Sequence, residues 1–333
     1  MKDISEILGA LDPKTRKRVL EASAVKIEKL PTPSISLTAA LRGGFAFGRQ
    51  ILLWGNKSAG KTAFALQMIA IAQKAGKTCA FLDAEETFDP EWATRLGVDV
   101  DQLIVADTRT INQMVDVGTD LMAAGVDLIV VDSISALLPA IYFEKDSEEL
   151  KQLQDTKQIG AEAKDMTHAV KMLNFANQNT MLVLISQQRN SFGSMHATHI
   201  PTGGMAVKFF STTIVKLWSS ESDKNCIYDD VTLGDRVVKR RVGRGVDWTV
   251  DYNKTGPQFV GGSYDFYFDG DHVGIDTLAD LVDTCEEYGV IEKSGTWYVV
   301  GDEKMQGKTK VIKHLRENPD LIEEYRKTLY EKI

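Results

Sequence analysis

Cysteine is scarce in this chain of 333 residues: Cys79, Cys226 and Cys285 are scattered, and no pair shows metal-ligand spacing. That excludes a disulfide framework and a cysteine-built zinc site, and it fits reduced thiols in the cytoplasm. Long apolar runs are also missing. None approaches the roughly 18 residues that cross a bilayer, so no membrane partner is expected. The opening MKDISEILGALDPKTRKRVL is too polar for a secretory leader. Basic charge is not in excess either: 39 Lys and Arg stand against 47 Asp and Glu, a formal net charge of −8. A surface coated in positive charge is therefore excluded, although a local basic groove is not. There is no internal repeat and no low-complexity segment. Hydrophobic content of 43% and charged content of 26% are those of a globular protein. The length implies one large domain with smaller attachments.

What the chain does contain is alternation. QILLW (50–54), TCAFLD (78–83), DLIVVD (127–132), TMLVLIS (180–186) and STTIVKLW (211–218) read as strands. Helical patterns at Lys61–Ala75, Ile111–Ala124 and Thr156–Asn179 separate the first four. Near-continuous Val, Ile and Leu strands joined by helices predict a mostly parallel sheet covered on both faces. Ahead of this core, residues 1 to about 30 look helical. Asp12-Pro13 forms an N-cap and first-turn pair for a helix running through Arg18 and Leu20. After about residue 270, GIDTLADLVDTCEEYGVIEKSGTWYVV and a charged closing helix read as a small α/β appendage. The division is 1–33, an N-terminal helix and linker; 34–270, the core; and 271–333, the appendage.

Gly55, Asn56, Lys57, Ser58, Ala59, Gly60, Lys61 and Thr62 match G-x-x-x-x-G-K-[ST], with a strand entering and a helix leaving. Glycines let backbone N–H groups converge as an anion cradle at a helix N-terminus. Lys61 supplies a point charge for the outer phosphates, and the Thr62 hydroxyl is placed for magnesium. DLIVVDS carries Asp132 to the C-terminal edge of the sheet, where it can hold the same ion; its plain alternative is a cap or turn aspartate. FLDAEETFDPEW follows another strand. From Asp83 to Asp101 there are seven acids and one base. A carboxylate at a strand end can orient and deprotonate an attacking water, and either Glu85 or Glu86 suits that role. The bland reading is a solvated acidic face.

The fourth strand runs into Gln188–Gly204, a connection without periodicity that holds one Arg, two His, one Phe and three Gly. Connections this long usually bind something or stay disordered. Arg189 can reach phosphate, and Phe192 can stack on bases. Gly193, Gly203 and Gly204 allow flexibility and close backbone approach, and the last two could form a phosphate nest. His196 and His199 have no third ligand in view, so a metal site there is not expected.

GKTCAFLDAEETFDPEWATRLGVDVDQL, preceded by GNKSAGKT and followed by LIVVDSISALLP, resembles the core of RecA recombinases; PTGGMAVKFF and GVIEKSGTWYVV extend the resemblance over nearly the whole chain. The resemblance implies an α/β RecA-type P-loop ATPase core, a mostly parallel twisted sheet with helices on both faces. It also implies a short N-terminal helical polymerisation segment and a small α/β C-terminal domain. Glu85 becomes the catalytic carboxylate, Asp89 and Trp92 the adenine contacts, and Gln187 the γ-phosphate sensor. The cofactors are ATP and magnesium. Lys254 corresponds to one of two lysines that the family donates to a neighbouring subunit's site; Tyr252 stands where the other is expected, and a residue of Lys239–Arg244 could compensate. That basic cluster lies in Ser219–Gly245, a segment that looks longer than in typical members and otherwise reads as a solvated hairpin. DNA is expected at about 139–160, with Lys164 and Lys171 as phosphate contacts on the next helix, and at 188–204. Lys208 and Phe209 follow the double glycine in a strand region that meets the neighbouring subunit.

The implied function is an ATP-dependent recombinase, a homo-oligomeric helical filament on single-stranded DNA that exchanges strands with homologous double-stranded DNA. A ring helicase or motor with the same core is the alternative. A DNA-binding regulator with a degraded ATPase is a third reading.

Overall fold

The computed structural model describes residues 3–16, 19, 22, 26–143, 151, 161–191, 198–233, 236–270 and 272–333. In chain order come α1 (Ile4–Gly9), α2 (Pro13–Arg16), β1 (Lys29–Leu30), α3 (Ile35–Ala40), β2 (Phe45–Ala46), β3 (Gln50–Gly55), α4 (Lys61–Lys74), β4 (Cys79–Asp83), α5 (Pro90–Arg95), β5 (Leu103–Asp107), α6 (Ile111–Ala123) and β6 (Leu128–Asp132). Next are α7 (Ala161–Ala176), β7 (Met181–Ser191), β8 (Thr198–Pro201), α8 (Gly204–Phe210), β9 (Thr213–Trp218), β10 (Cys226–Leu233), β11 (Arg236–Asn253), β12 (Val260–Tyr267) and β13 (Gly274–Ile275). The chain ends with α9 (Thr277–Glu287), β14 (Glu292–Ser294), β15 (Trp297–Val300), β16 (Glu303–Gln306), α10 (Lys308–Glu317) and α11 (Pro319–Lys332).

The main sheet runs β13-β12-β11-β9-β3-β7-β6-β4-β5. From β9 to β5 the pairs are parallel; β11, β12 and β13 extend it antiparallel. Every residue of β3, β4 and β6 is buried. Burial on both faces is why these strands read as continuous apolar runs. Their side chains alternate between two layers. Ile51, Leu53, Phe81 and Val130 join Phe64 and Met68 of α4 in one layer. Leu52, Trp54, Leu82 and Val131 join Met114 of α6 and Leu173 of α7 in the other. Full burial of each such side chain is worth about 1.5–3 kcal/mol.

The smaller C-terminal domain is the antiparallel sheet β14-β15-β16 with α9, α10 and α11, around Leu281, Val300, Val311, Leu315 and Leu329. Ile35 of α3 inserts into that cluster. The buried Asp280 carboxylate on α9 accepts the Ile35 N–H at 2.6 Å and the Ser36 N–H at 3.3 Å, so α9 caps α3 across the junction. Burial, the largest influence, pushes the Asp280 carboxyl above its ordinary range despite these donors.

Several expectations change. Leu103–Asp107 is a strand that the apolar pattern did not mark: β5 sits at the sheet edge with none of its residues buried, and its short apolar run, Leu103–Ala106, is set between Asp101-Gln102 and Asp107. The helix expected over 156–179 spans Ala161–Ala176, with residues 152–160 outside the described set. In the connection after the fourth strand the described residues on either side of 192–197 are paired: β7 continues to Ser191 and folds against β8, with Gln188 opposite Pro201 and Ser191 opposite Thr198. Hydrophobic periodicity missed this hairpin because its paired segments, QRNS and THIP, carry no apolar alternation and cross-strand backbone bonds hold them. Lys208 and Phe209 lie on helix α8, correcting the strand expected there. Asp12 caps α2 through Lys14 N–H and Thr15 N–H, both 3.0 Å. The helix described there ends at Arg16, and Arg18 and Leu20 lie outside the described residues.

Candidate active site

The strand β3 delivers Gly55 to the sheet edge, and α4 starts at Lys61. Between them the loop needs its glycines. A Cβ on Gly55 would lie 1.7 Å from the Leu217 carbonyl oxygen, and Gly60 takes a left-handed φ of 80° at the start of α4. Asn56 fastens the loop to the end of β9. Its amide donates to Ser219 O at 2.8 Å and accepts from Ser219 N at 3.1 Å. Lys61 is buried, and its Nζ donates back to Asn56 O at 2.8 Å and Gly55 O at 3.2 Å. Burial lowers its pKa, opposed by the charges of Asp132 and Glu85.

Thr62 Oγ1 donates to Asp132 Oδ2 at 2.5 Å. Burial pushes the Asp132 carboxyl up to about 6, with the Thr62 bond pulling the other way. This hydroxyl–carboxylate pair offers two hard oxygen donors, the ligand chemistry that suits magnesium. No cluster of three or more His, Cys, Asp or Glu able to hold a metal occurs among the described residues, so a closed protein cage is absent from that part of the chain.

The two candidate acids separate clearly. Glu85 Oε1 accepts Ser133 Oγ at 2.5 Å and Gln187 Nε2 at 2.9 Å. Glu86 is exposed, has a left-handed φ of 54° and pairs with Arg109 at 2.8 Å. Glu85 therefore faces the β6 end, where Asp132 stands, and Glu86 faces outward. Asp83 is buried and accepts Thr87 N–H and Phe88 N–H, which turns the segment after β4.

Gln187 joins this centre to the β7–β8 hairpin. Its N–H donates to Ser135 Oγ at 2.8 Å, and Ser135 Oγ also bonds Thr202 Oγ1 at 2.5 Å. Thr202 in turn bonds Ser186 Oγ at 2.8 Å. Ser133, Ser135 and Thr202 were not singled out by sequence; only their positions after the strand that carries Asp132 and before the double glycine hinted at them. Gly203 has a packing requirement, because a Cβ there would meet Val207 Cγ2 at 2.8 Å and Ile134 Cδ1 at 2.9 Å. Gly204 has a φ of 77° and begins α8. His199 Nδ1 bonds Gln188 Nε2 at 2.9 Å.

The remaining candidates are dispersed. Arg189 is exposed on the hairpin, and Lys164 and Lys171 are exposed on α7. Phe192, Gly193, His196 and most of 139–160 lie outside the described residues. Asp89 caps α5, accepting Glu91 N–H at 2.9 Å and Trp92 N–H at 3.2 Å. Trp92 is partly buried against the core, with the Arg95 guanidinium 5.4 Å from its ring. Lys254 is not brought to the P-loop of its own chain. It follows β11 at the opposite sheet edge, where its N–H reaches Thr212 O and its Nζ reaches Phe209 O at 3.2 Å. Tyr252 packs against the second apolar layer.

Ser219–Gly245 is a long antiparallel hairpin, β10 against β11. One member of its basic cluster returns to the site: Arg244 Nη1 donates to Ser58 O at 3.1 Å. Composition flagged the cluster, and only the register of β11 distinguishes Arg244 from its neighbours.

A strand, glycine loop and helix beside an acidic strand end define a P-loop α/β protein. The chain belongs to the RecA family: the RecA N-terminal domain model matches residues 7–248, and the RecA C-terminal domain model matches 279–333. It is 36% identical to Protein RecA of Saccharopolyspora erythraea over 322 residues, 95% of this chain and 87% of that one. Protein RecA of Thermus aquaticus is also 36% identical, over 321 residues, 95% of this chain and 88% of that one. Among solved structures, the crystal structure of the RadB recombinase shares the fold at a TM-score of 0.51 and 18% identity, covering 71% of this chain and 94% of that one.

Proposed function

We propose that the chain is an ATP-dependent DNA recombinase. It binds ATP with magnesium, forms a helical filament on single-stranded DNA, pairs that strand with homologous duplex DNA and promotes strand exchange. The observation that carries this reading is the hydrogen-bonded path from Ser133 through Glu85 and Gln187 to Ser135 and Thr202. It links the nucleotide end of the sheet to the base of the β7–β8 hairpin, where Arg189 and Phe192 are proposed to hold DNA.

In this reading the N–H groups of Asn56–Gly60 cradle phosphate and Lys61 reaches the outer phosphates. Thr62 and Asp132 hold magnesium, which when bound neutralises phosphate charge. Glu85 orients the attacking water and takes its proton, and Gln187 contacts the γ-phosphate. Asp89 and Trp92 flank adenine, and Lys254 enters the site of a neighbouring subunit. Its place at the opposite sheet edge suits head-to-tail assembly, the heterologous geometry that builds filaments. Exposed apolar groups support the same assembly. Ile4 and Ile7 of α1 are 62% and 49% exposed, and Phe209 of α8 is 69% exposed. The working division is 1–33 for subunit contact, 34–270 for ATP and DNA, and 271–333 as an accessory domain. Lys164, Lys171, Gly203 and Gly204 complete the proposed DNA face.

A strand-exchange assay with matched and mismatched duplex tests this, run with ATP and with a slowly hydrolysed analogue. Product is expected with the matched duplex alone. Unwinding or translocation without homologous pairing would instead favour a ring helicase.

A further inference from the structure

The β10–β11 hairpin grips the P-loop at two points. At its root, Ser219 exchanges two hydrogen bonds with Asn56, and Ser219 Oγ donates to Gly245 O at 2.9 Å. Asn225 adds bonds from its amide to Gly245 O at 2.9 Å and Ser220 O at 3.1 Å. Gly245 is held so closely that a Cβ there would lie 2.6 Å from Asn225 Oδ1. From this braced root, the neighbouring Arg244 extends its guanidinium to the Ser58 carbonyl oxygen. Ser58 is the P-loop residue that needs such a hold. It is not glycine, yet its φ is +62°, a left-handed backbone that L-residues adopt at a cost. A guanidinium donating to the carbonyl of that residue stabilises the turn and adds positive charge beside an anion cradle.

We propose that Arg244 is a positioning residue of the nucleotide site, acting in cis: it holds Ser58 in the phosphate-binding turn and contributes a second positive charge beside Lys61. The ligand class is a nucleoside di- or triphosphate, since the loop it braces cradles phosphates present in both. This inference rests on reading Gly55–Thr62 as the phosphate-binding loop.

The test uses the full chain with magnesium and fluorescent ADP, and in parallel a fluorescent, slowly hydrolysed ATP analogue. Arg244→Ala, Arg244→Lys and Arg244→Gln are compared with Lys61→Ala. Arg244→Ala should weaken both ligands about tenfold, the loss of one charge-assisted bond. Arg244→Lys should recover most of the affinity, and Arg244→Gln should recover little. Such charge-dependent rescue is not expected of a residue that only packs. Hydrogen exchange at residues 55–62 of the ligand-free protein should rise in Arg244→Gln and stay near wild type in Arg244→Lys, a readout independent of how well Arg244→Ala folds. If Lys61→Ala loses binding while all Arg244 variants bind as wild type, or if Gln rescues as well as Lys, the inference is overturned and the loop reading stands. If Lys61→Ala binds as wild type, the loop reading falls and the inference falls with it.

Discussion

Glu85 and Glu86 are adjacent acids with unlike surroundings, and their substitutions should diverge. Glu85→Gln keeps the Ser133 and Gln187 contacts possible but removes the base. Turnover should fall about 10²–10⁴-fold with nucleotide binding retained. Glu86→Gln loses only an exposed pair with Arg109, worth at most about 1 kcal/mol, so turnover should stay near wild type. Equal losses in a steady-state ATPase assay would remove the basis for choosing Glu85. Asp132 adds a pH signature. Its carboxyl is raised by burial from 3.8 to about 6, and the ionised form is the one that holds a cation. Magnesium-dependent nucleotide affinity should therefore rise as pH climbs through about 6. The metal-free fold should lose stability as pH rises from 3.8 to about 6 and level off above that, because in this window the folded state keeps a proton that the unfolded state has released. Titration calorimetry with and without magnesium from about pH 5 to about pH 7.5 checks the first sign, and thermal melts of the metal-free protein from about pH 3.5 to about pH 7 check the second.

Two elements lend themselves to separate tests. Arg189→Ala with Phe192→Ala should weaken binding to a poly-dT strand by about 1–3 kcal/mol for the stacking lost, plus a phosphate contact, while nucleotide affinity is spared. Unaltered strand affinity in a fluorescence titration would remove the hairpin from the DNA site. At the other junction, Asp280→Ala strips the cap from α3 and leaves the Ile35 and Ser36 N–H groups unpaired, one of them buried. A cost of about 1–3 kcal/mol should appear as faster proteolytic release of the C-terminal domain. Elements were unevenly legible in the sequence. β3, β4 and β6 announced themselves because burial on both faces demands apolar residues throughout. The P-loop was equally plain, since its glycines answer to a steric need at Gly55. The β7–β8 hairpin was not legible, and the β10–β11 hairpin was legible only as the plain alternative to a functional basic cluster. β11 and β12 do carry an apolar alternation, Val246, Trp248 and Val250 with Tyr264 and Phe266, but cross-strand pairing is a relation between distant residues that no local window contains. Arg244 was hidden for the same reason: its importance comes from Ser58, 186 positions away.

At the scale of the molecule, α1 is capped by Asp3 and buries none of its residues. A six-residue helix with exposed isoleucines gains little inside its own chain, and its apolar face fits a neighbouring subunit better than water. Removal of residues 1–30 should shorten oligomers sharply, as seen by light scattering with DNA and a slowly hydrolysed nucleotide; full-length filaments would count against that role. The main sheet carries one more consequence. Gly55 is paired with Gln187 on one side and Leu217 on the other, so the strand that bears the P-loop sits between two partners made far later. During translation, the first 62 residues emerge long before either flank exists, and the phosphate cradle has nothing to stand against. A nascent chain halted short of Leu217 would carry the whole GNKSAGKT signature and still lack one wall of its binding site. Ribosome-bound intermediates should become able to retain nucleotide only after β9 has cleared the exit tunnel.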